Sequence, residues 1–142
     1  MKLRQIMTKQ VIRIGPEEPV AVAARILARY NIGALPICGA DGRLWGLVTD
    51  RDLVIRCVAA GLDPKTTPVR RVMTSGVASA APDMEVSAAA GMMGRLQIRR
   101  LPVLENERLC GMVSLGDLAG NEGAGYDAAD ALTMISSNIS GR

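Results

Sequence analysis

The chain carries one pattern twice at a constant spacing. Arg4-Gln5-Ile6-Met7-Thr8 returns as Arg70-Arg71-Val72-Met73-Thr74. Val11, Pro16, Val20, Ala23, Ala24, Ile32, Leu35 and Pro36 return as Val77, Pro82, Val86, Ala89, Ala90, Ile98, Leu101 and Pro102, all 66 positions on. One residue is lost in the turn around Asp41-Gly42. Beyond it Arg43, Leu44, Gly46, Val48, Asp52 and Leu53 come back 65 positions on as Arg108, Leu109, Gly111, Val113, Asp117 and Leu118. Self-similarity of this kind makes each half one supersecondary unit whose apolar face must be covered by its neighbour.

Punctuation and periodicity then place the elements of each half. A short strand, Val11 to Ile14 or Val77 to Ala80, ends at Pro16 or Pro82. A helix follows, with Val20, Ala23, Ala24 and Leu27 at the spacing of one buried face. Leu35 to Cys38 and Leu44 to Thr49 flank the turn signal Gly39-Ala40-Asp41-Gly42 and predict a hairpin, repeated as Leu101 to Leu104 and Arg108 to Ser114 around Glu105-Asn106-Glu107. A second helix starts at Asp50 or Leu115. In the first half its apolar face is Leu53, Val54, Cys57 and Val58, and Gly61 with Pro64 ends it.

The expected fold class is therefore α+β: two β-α-β-β-α halves, each with a three-stranded sheet, packed sheet to sheet with pseudo-two-fold symmetry. The expected boundaries are 1–62 for the first repeat, 63–67 for a linker, 68–120 for the second repeat and 121–142 for a Gly- and Ser-rich tail. Within that tail Asp127 to Ile135 reads as one short helix after an Asp cap, and the tail as a whole as loosely held or used in dimer contacts.

Composition narrows the function. Apolar residues make up 49% of the 142 positions and aromatic ones 2%, so the core is aliphatic. No apolar run approaches the roughly 18 residues of a membrane span, and the N-terminus has no signal-like pattern, which points to the cytoplasm and away from a membrane. Cys38, Cys57 and Cys110 show no C-x-x-C spacing and read as small buried hydrophobes rather than redox sensors. With no histidine, the Ser-His and Cys-His pairs and the commonest transition-metal ligand are gone, and neither a P-loop nor a G-x-G-x-x-G loop occurs. The reading is that the chain is not an enzyme and holds no metal. A net charge of +3 raises nucleic acid as a partner, but scattered arginines and almost no aromatic residues favour small anions instead.

The chemistry gathers at Gly46-Leu47-Val48-Thr49-Asp50-Arg51-Asp52, where the last strand meets the second helix. Gly46 leaves room for an approaching ligand, Thr49 offers a hydroxyl, and Asp52, one turn on, offers a carboxylate able to accept both hydroxyls of a ribose. Amides at the helix start add a weak positive field for phosphate. The second half keeps Gly111, Ser114 and Asp117 but has Leu115-Gly116 in place of Asp50-Arg51.

Together, Ile-Met-Thr, Ile-x-x-Leu-Pro and Gly-x-x-Thr/Ser-x-x-Asp in each half resemble the cystathionine-β-synthase (CBS) repeat, and the pair from Arg4 to Leu118 resembles a Bateman module. Asn31 to Gly39 with Thr49 to Asp52 is also similar to the small actinobacterial hypoxic-response proteins built from one such pair. The resemblance implies a stand-alone regulatory module that requires no cofactor, binds AMP, ADP, ATP or a related adenosyl ligand between its repeats, and signals by a conformational or dimer change. It implies a homodimer, a role in stress response and an unidentified effector protein. The first site so implied uses Thr49 and Asp52 for ribose, with Leu47 and Arg51 beside them, Val77 and Ala78 along the adenine, and Arg99 and Arg100 before Leu101-Pro102 for phosphate. The second uses Ser114 and Asp117 with Thr8, Val11, Ile12, Gly33, Ala34 and Pro36. Because Gly33-Ala34 supplies no cation where Arg99-Arg100 stand, the two clefts should be unequal.

Plainer readings stand beside these. Asp52 and Asp117 also suit helix caps, Arg99 and Arg100 solvated charges, and Arg51 a partner for Asp50 or a neighbouring carboxylate. The four methionines Met7, Met73, Met92 and Met93 read as core filling, and Trp45 as a strand-packing or dimer-facing residue rather than a base stacker. Two rival functions follow: a structural or protein-interaction dimer with degenerate clefts, and nucleic-acid binding through the basic surface.

Overall fold

The computed structural model describes residues 1–120. The expected tail, with its helix from Asp127 to Ile135 and its dimer contacts, lies outside the described residues.

The backbone forms two compact units that interleave along the chain. Among the described residues, the first consists of Ile12–Val77 with Glu107–Leu109, the second of Met1–Val11, Ala78–Asn106 and residues 110–120. The opening Met-Thr element of each repeat is thus grouped with the body of the other repeat, a placement that the linear order of the repeats conceals.

In the first unit, α1 (Val20–Tyr30) precedes the strands β1 (Ala34–Cys38) and β2 (Leu44–Thr49). Its N-cap, Pro19, has no side chain to accept a bond, so the first amides find backbone instead: Val20 N–H donates to the Thr67 carbonyl and Ala21 N–H to that of Pro64. The helix ends where Asn31 turns left-handed (φ 51°) and Ile32 N–H reaches back to the Leu27 carbonyl. Val20, Ala23 and Leu27 are buried as the spacing predicts, whereas Ala24 is exposed.

β1 and β2 pair antiparallel, with Leu35 opposite Val48 and Ile37 opposite Gly46. A bulge at Ile37/Cys38 leaves Trp45 as the extra residue, 45% exposed, with its indole against Gly39. The core of this unit joins Leu27, Leu35, Ile37, Val48, Leu53 and Cys57 to Val69 and Val72.

α2 (residues 50–58) departs from the simple helix expected after Thr49. Asp50–Asp52 is α-helical, but Leu53–Val58 continues as a π-helix, with Ala59 N–H bonding to the Val54 carbonyl five residues back. The wider turn breaks the expected apolar face. Leu53 and Cys57 are buried, while Val54 and Val58 are 58% and 66% exposed.

The second unit repeats the plan with α3 (Val86–Leu96), β3 (Arg100–Glu105), β4 (Arg108–Ser114), which belongs to it from Cys110 on, and α4 (Leu115–Ala119). β3 and β4 form the second two-stranded sheet, closed by a turn in which Asn106 and Glu107 both have positive φ. Leu3, Val86, Met93, Leu101, Val103 and Leu118 are its fully or nearly fully buried core. The architecture is α+β, with two small antiparallel sheets and flanking helices.

The strand expected at the start of each repeat shrinks to a single parallel bridge, Ile14 to Ile37 in one unit and Ala80 to Val103 in the other. Prolines explain the length. Ile14 donates to the Pro36 carbonyl and accepts from Cys38 N–H; the next bond in either direction would need an N–H from Pro36 or Pro16. Ala80 is bounded in the same way by Pro102 and Pro82.

Candidate carboxylate sites at two helix starts

Thr49 and Ser114 stand at corresponding strand-to-helix junctions with nearly identical backbone angles, φ −114° and ψ 165° against φ −116° and ψ 163°. Each begins a reciprocal cap. Asp52 N–H donates to Thr49 Oγ1 at 3.1 Å, and Thr49 N–H donates to Asp52 Oδ2 at 2.9 Å. Asp117 N–H donates to Ser114 Oγ at 3.1 Å, and Ser114 N–H donates to Asp117 Oδ2 at 2.9 Å. The capping reading of these residues is therefore correct.

Capping leaves chemical capacity unused. Each hydroxyl acts only as an acceptor in the cap and keeps its proton to donate. Each carboxylate commits one oxygen, and its second oxygen can still accept from a polyol. In the first unit that second oxygen faces Arg56 Nε at 3.8 Å, and the Asp52 side chain is only 14% exposed. In the second unit Asp117 Oδ1 makes no hydrogen bond or ion pair among the described residues.

The motif glycines have a different reason from the one expected. A Cβ on Gly46 would collide with the Thr74 carbonyl oxygen and lie 3.2 Å from Met73 Sδ; a Cβ on Gly111 would collide with Met7. Both glycines make room for a Met-Thr element rather than for a ligand. Leu47 and Thr74 exchange two backbone hydrogen bonds, at 3.0 and 2.8 Å, and Thr8 and Met112 exchange two at 2.9 and 3.0 Å. Thr74 is not among the expected site residues, although the 66-position offset from Thr8 points to it.

Of the expected site residues, Leu47, Thr49, Arg51, Asp52 and Val77, with Ile12, Gly33, Ala34 and Pro36, belong to the first unit, and Thr8, Val11, Ser114 and Asp117, with Ala78, Arg99, Arg100 and Pro102, belong to the second. Arg51 is exposed and makes no ion pair among the described residues; the Asp50 carboxylate accepts its backbone N–H instead. Arg99 is exposed and Arg100 half-buried, and neither is ion-paired among the described residues. Arg70 and Arg4 are spoken for, at 2.7 Å from Glu17 and from Asp83.

Cys38 and Cys57 are buried and Cys110 is half-buried. Burial pushes the Cys38 and Cys110 thiols up from their ordinary value. Among the described residues no three His, Cys, Asp or Glu side chains converge as a metal site, and no described helix is long and apolar enough to cross a membrane.

The model of the CBS domain matches residues 3–58 and 69–121. The CBS domain-containing protein YhcV of Bacillus subtilis is 40% identical over 134 residues, 94% of each chain. The crystal structure of Hypoxic Response Protein I, which carries two coordinated zinc ions, shares 37% identity at a TM-score of 0.79, covering 85% of this chain and 98% of the other. The CBS domain pair of protein MJ0100, solved with 5′-methylthioadenosine and S-adenosyl-L-methionine, shares 27% identity at a TM-score of 0.73, covering 84% and 94%. Two Gly-x-x-Thr/Ser-x-x-Asp junctions on two matching units, with these relatives, carry one conclusion: the chain belongs to the CBS-domain family and contains a pair of its repeats.

Proposed function

We propose that this CBS pair is a non-catalytic cytoplasmic sensor that binds an adenosine nucleotide, its ribose held by Asp52 at one site and by Asp117 at the other. The observation that carries the reading is the pair of carboxylates, each held in place by its own cap with one oxygen left for a sugar. The adenosyl ligands of the related MJ0100 pair support the ligand class. The other residues that the family resemblance implies are Leu47, Thr49, Arg51 and Val77, with Ile12, Gly33, Ala34 and Pro36, on the first unit, and Thr8, Val11 and Ser114, with Ala78, Arg99, Arg100 and Pro102, on the second. Arg99 and Arg100 favour a charged phosphate tail, and Gly33-Ala34 at the corresponding positions of the other repeat offers no cation for one. Output passes to an effector protein or through a homodimer. The exposed Val54, Ile55 and Val58 favour self-association, because such side chains on one short segment form an apolar patch. The relation to Hypoxic Response Protein I supports a role in stress response.

Calorimetric titration with AMP, ADP and ATP tests the reading. Saturable binding is expected, tighter at one site than at the other; no heat at millimolar nucleotide overturns it. The caps favour one second reading, a structural or interaction dimer in which both aspartates serve only the helix starts. That reading requires a melting temperature indifferent to nucleotide.

A further inference from the structure

We infer that Arg56 is a positioning residue that ties the Asp52 carboxylate to the Met73–Thr74 segment, so that occupancy of the carboxylate is felt in the pairing of that segment with β2. Arg56 lies on the π-helical stretch of α2 and faces two ways. Its Nε stands 3.8 Å from Asp52 Oδ1, the oxygen that the cap leaves over, and its Nη1 donates to the Met73 carbonyl at 3.0 Å. The next residue, Thr74, forms the two-bond bridge with Leu47 at the middle of β2. The chain of contacts therefore runs from carboxylate to guanidinium to segment to strand, all within the first unit.

The second unit has the same bridge, Thr8 with Met112, but not the same cation: the position 65 residues after Arg56 is Asn121. Among the described residues the device belongs to one site only. A planar guanidinium presents donors along different edges in a fixed fork, so Nε and Nη1 reach two separated acceptors, whereas an ammonium is a compact point charge whose donors all sit on one atom. A ligand hydroxyl that takes Asp52 Oδ1 weakens the hold of that oxygen on Arg56 and redistributes the guanidinium toward the Met73 carbonyl. This ligand step rests on the reading of Asp52 as a sugar-binding carboxylate; the link itself does not.

Amide hydrogen exchange on the full chain separates the two. Without ligand, Arg56→Gln is expected to speed exchange at Leu47 and Thr74 by about three- to fivefold, the scale of one partly exposed charged contact, while Thr8 and Met112 are unchanged. Arg56→Lys is expected not to restore protection. Asp52→Asn, which retains a side-chain acceptor for the cap, is expected to alter Thr74 exchange in the wild-type background and to add nothing in the Arg56→Gln background. Unchanged exchange in Arg56→Gln, or additive effects of the two substitutions, overturns the link whether or not nucleotide binds. With AMP, Thr74 exchange is expected to shift in the wild type and not in Arg56→Gln. AMP that binds and shifts both equally overturns the coupling, whereas AMP that fails to bind overturns the ribose reading and leaves the ligand-free result to judge the link.

Discussion

Replacing Gly46 with alanine is expected to destabilise the protein by about 2–3 kcal/mol in chemical denaturation, the upper part of the range for overpacking. The new methyl group would meet the Thr74 backbone, which is held to Leu47 by two hydrogen bonds and cannot swing aside. Gly111→Ala is the internal control. The three atoms nearest its methyl would all belong to the side chain of Met7, Sδ first, then Cγ at 2.9 Å and Cε at 3.2 Å, and an unbranched thioether can take another rotamer. We expect a cost below about 1 kcal/mol there. Equal costs at the two glycines would mean that the Met-Thr elements do not pack as described.

Asp52→Ala and Asp117→Ala are each expected to weaken nucleotide binding at their own site by about 10- to 100-fold, the loss of a hydrogen-bonded charged acceptor. Both also remove half of a capping box and should lower stability by about 1 kcal/mol. The substitutions Asp52→Asn and Asp117→Asn divide these roles. The side-chain amide they introduce still offers a carbonyl oxygen to the Thr49 or Ser114 N–H, so stability should hold, but the charge that favours a pair of sugar hydroxyls is gone and affinity should still fall. Calorimetry and denaturation on the same four variants give both quantities. If the asparagine variants keep full affinity, or if the alanine variants lose stability while nucleotide binding is untouched, the carboxylates are caps alone.

Much of this arrangement is legible in the residues. The doubled Met-Thr, Leu-Pro and Thr/Ser-x-x-Asp elements point to the family, the α+β class and the two hairpins, because turn residues and alternating apolar runs act locally. The apolar spacing of Val20, Ala23 and Leu27 marks the buried face of α1. What escapes is set by partners distant in sequence. Pro16 and Pro36 are 20 positions apart, yet together they cut the expected strand at Ile14 to one bridge. Gly46 looks like a ligand-approach glycine until Thr74 is seen lying across it. The π-helical register of Leu53–Val58, which exposes Val54 and Val58, leaves no periodic trace in so short a stretch. The two roles of Asp52 and Asp117 look like alternatives in the sequence, and the geometry of their caps makes them compatible.

The most direct test is a crystal structure of the protein grown with AMP. The account predicts ribose hydroxyls within hydrogen-bonding distance of the Asp52 or Asp117 carboxylate, with the Thr49–Asp52 and Ser114–Asp117 caps intact. AMP held elsewhere on the molecule, or both carboxylates left to solvent at saturating AMP, would contradict it.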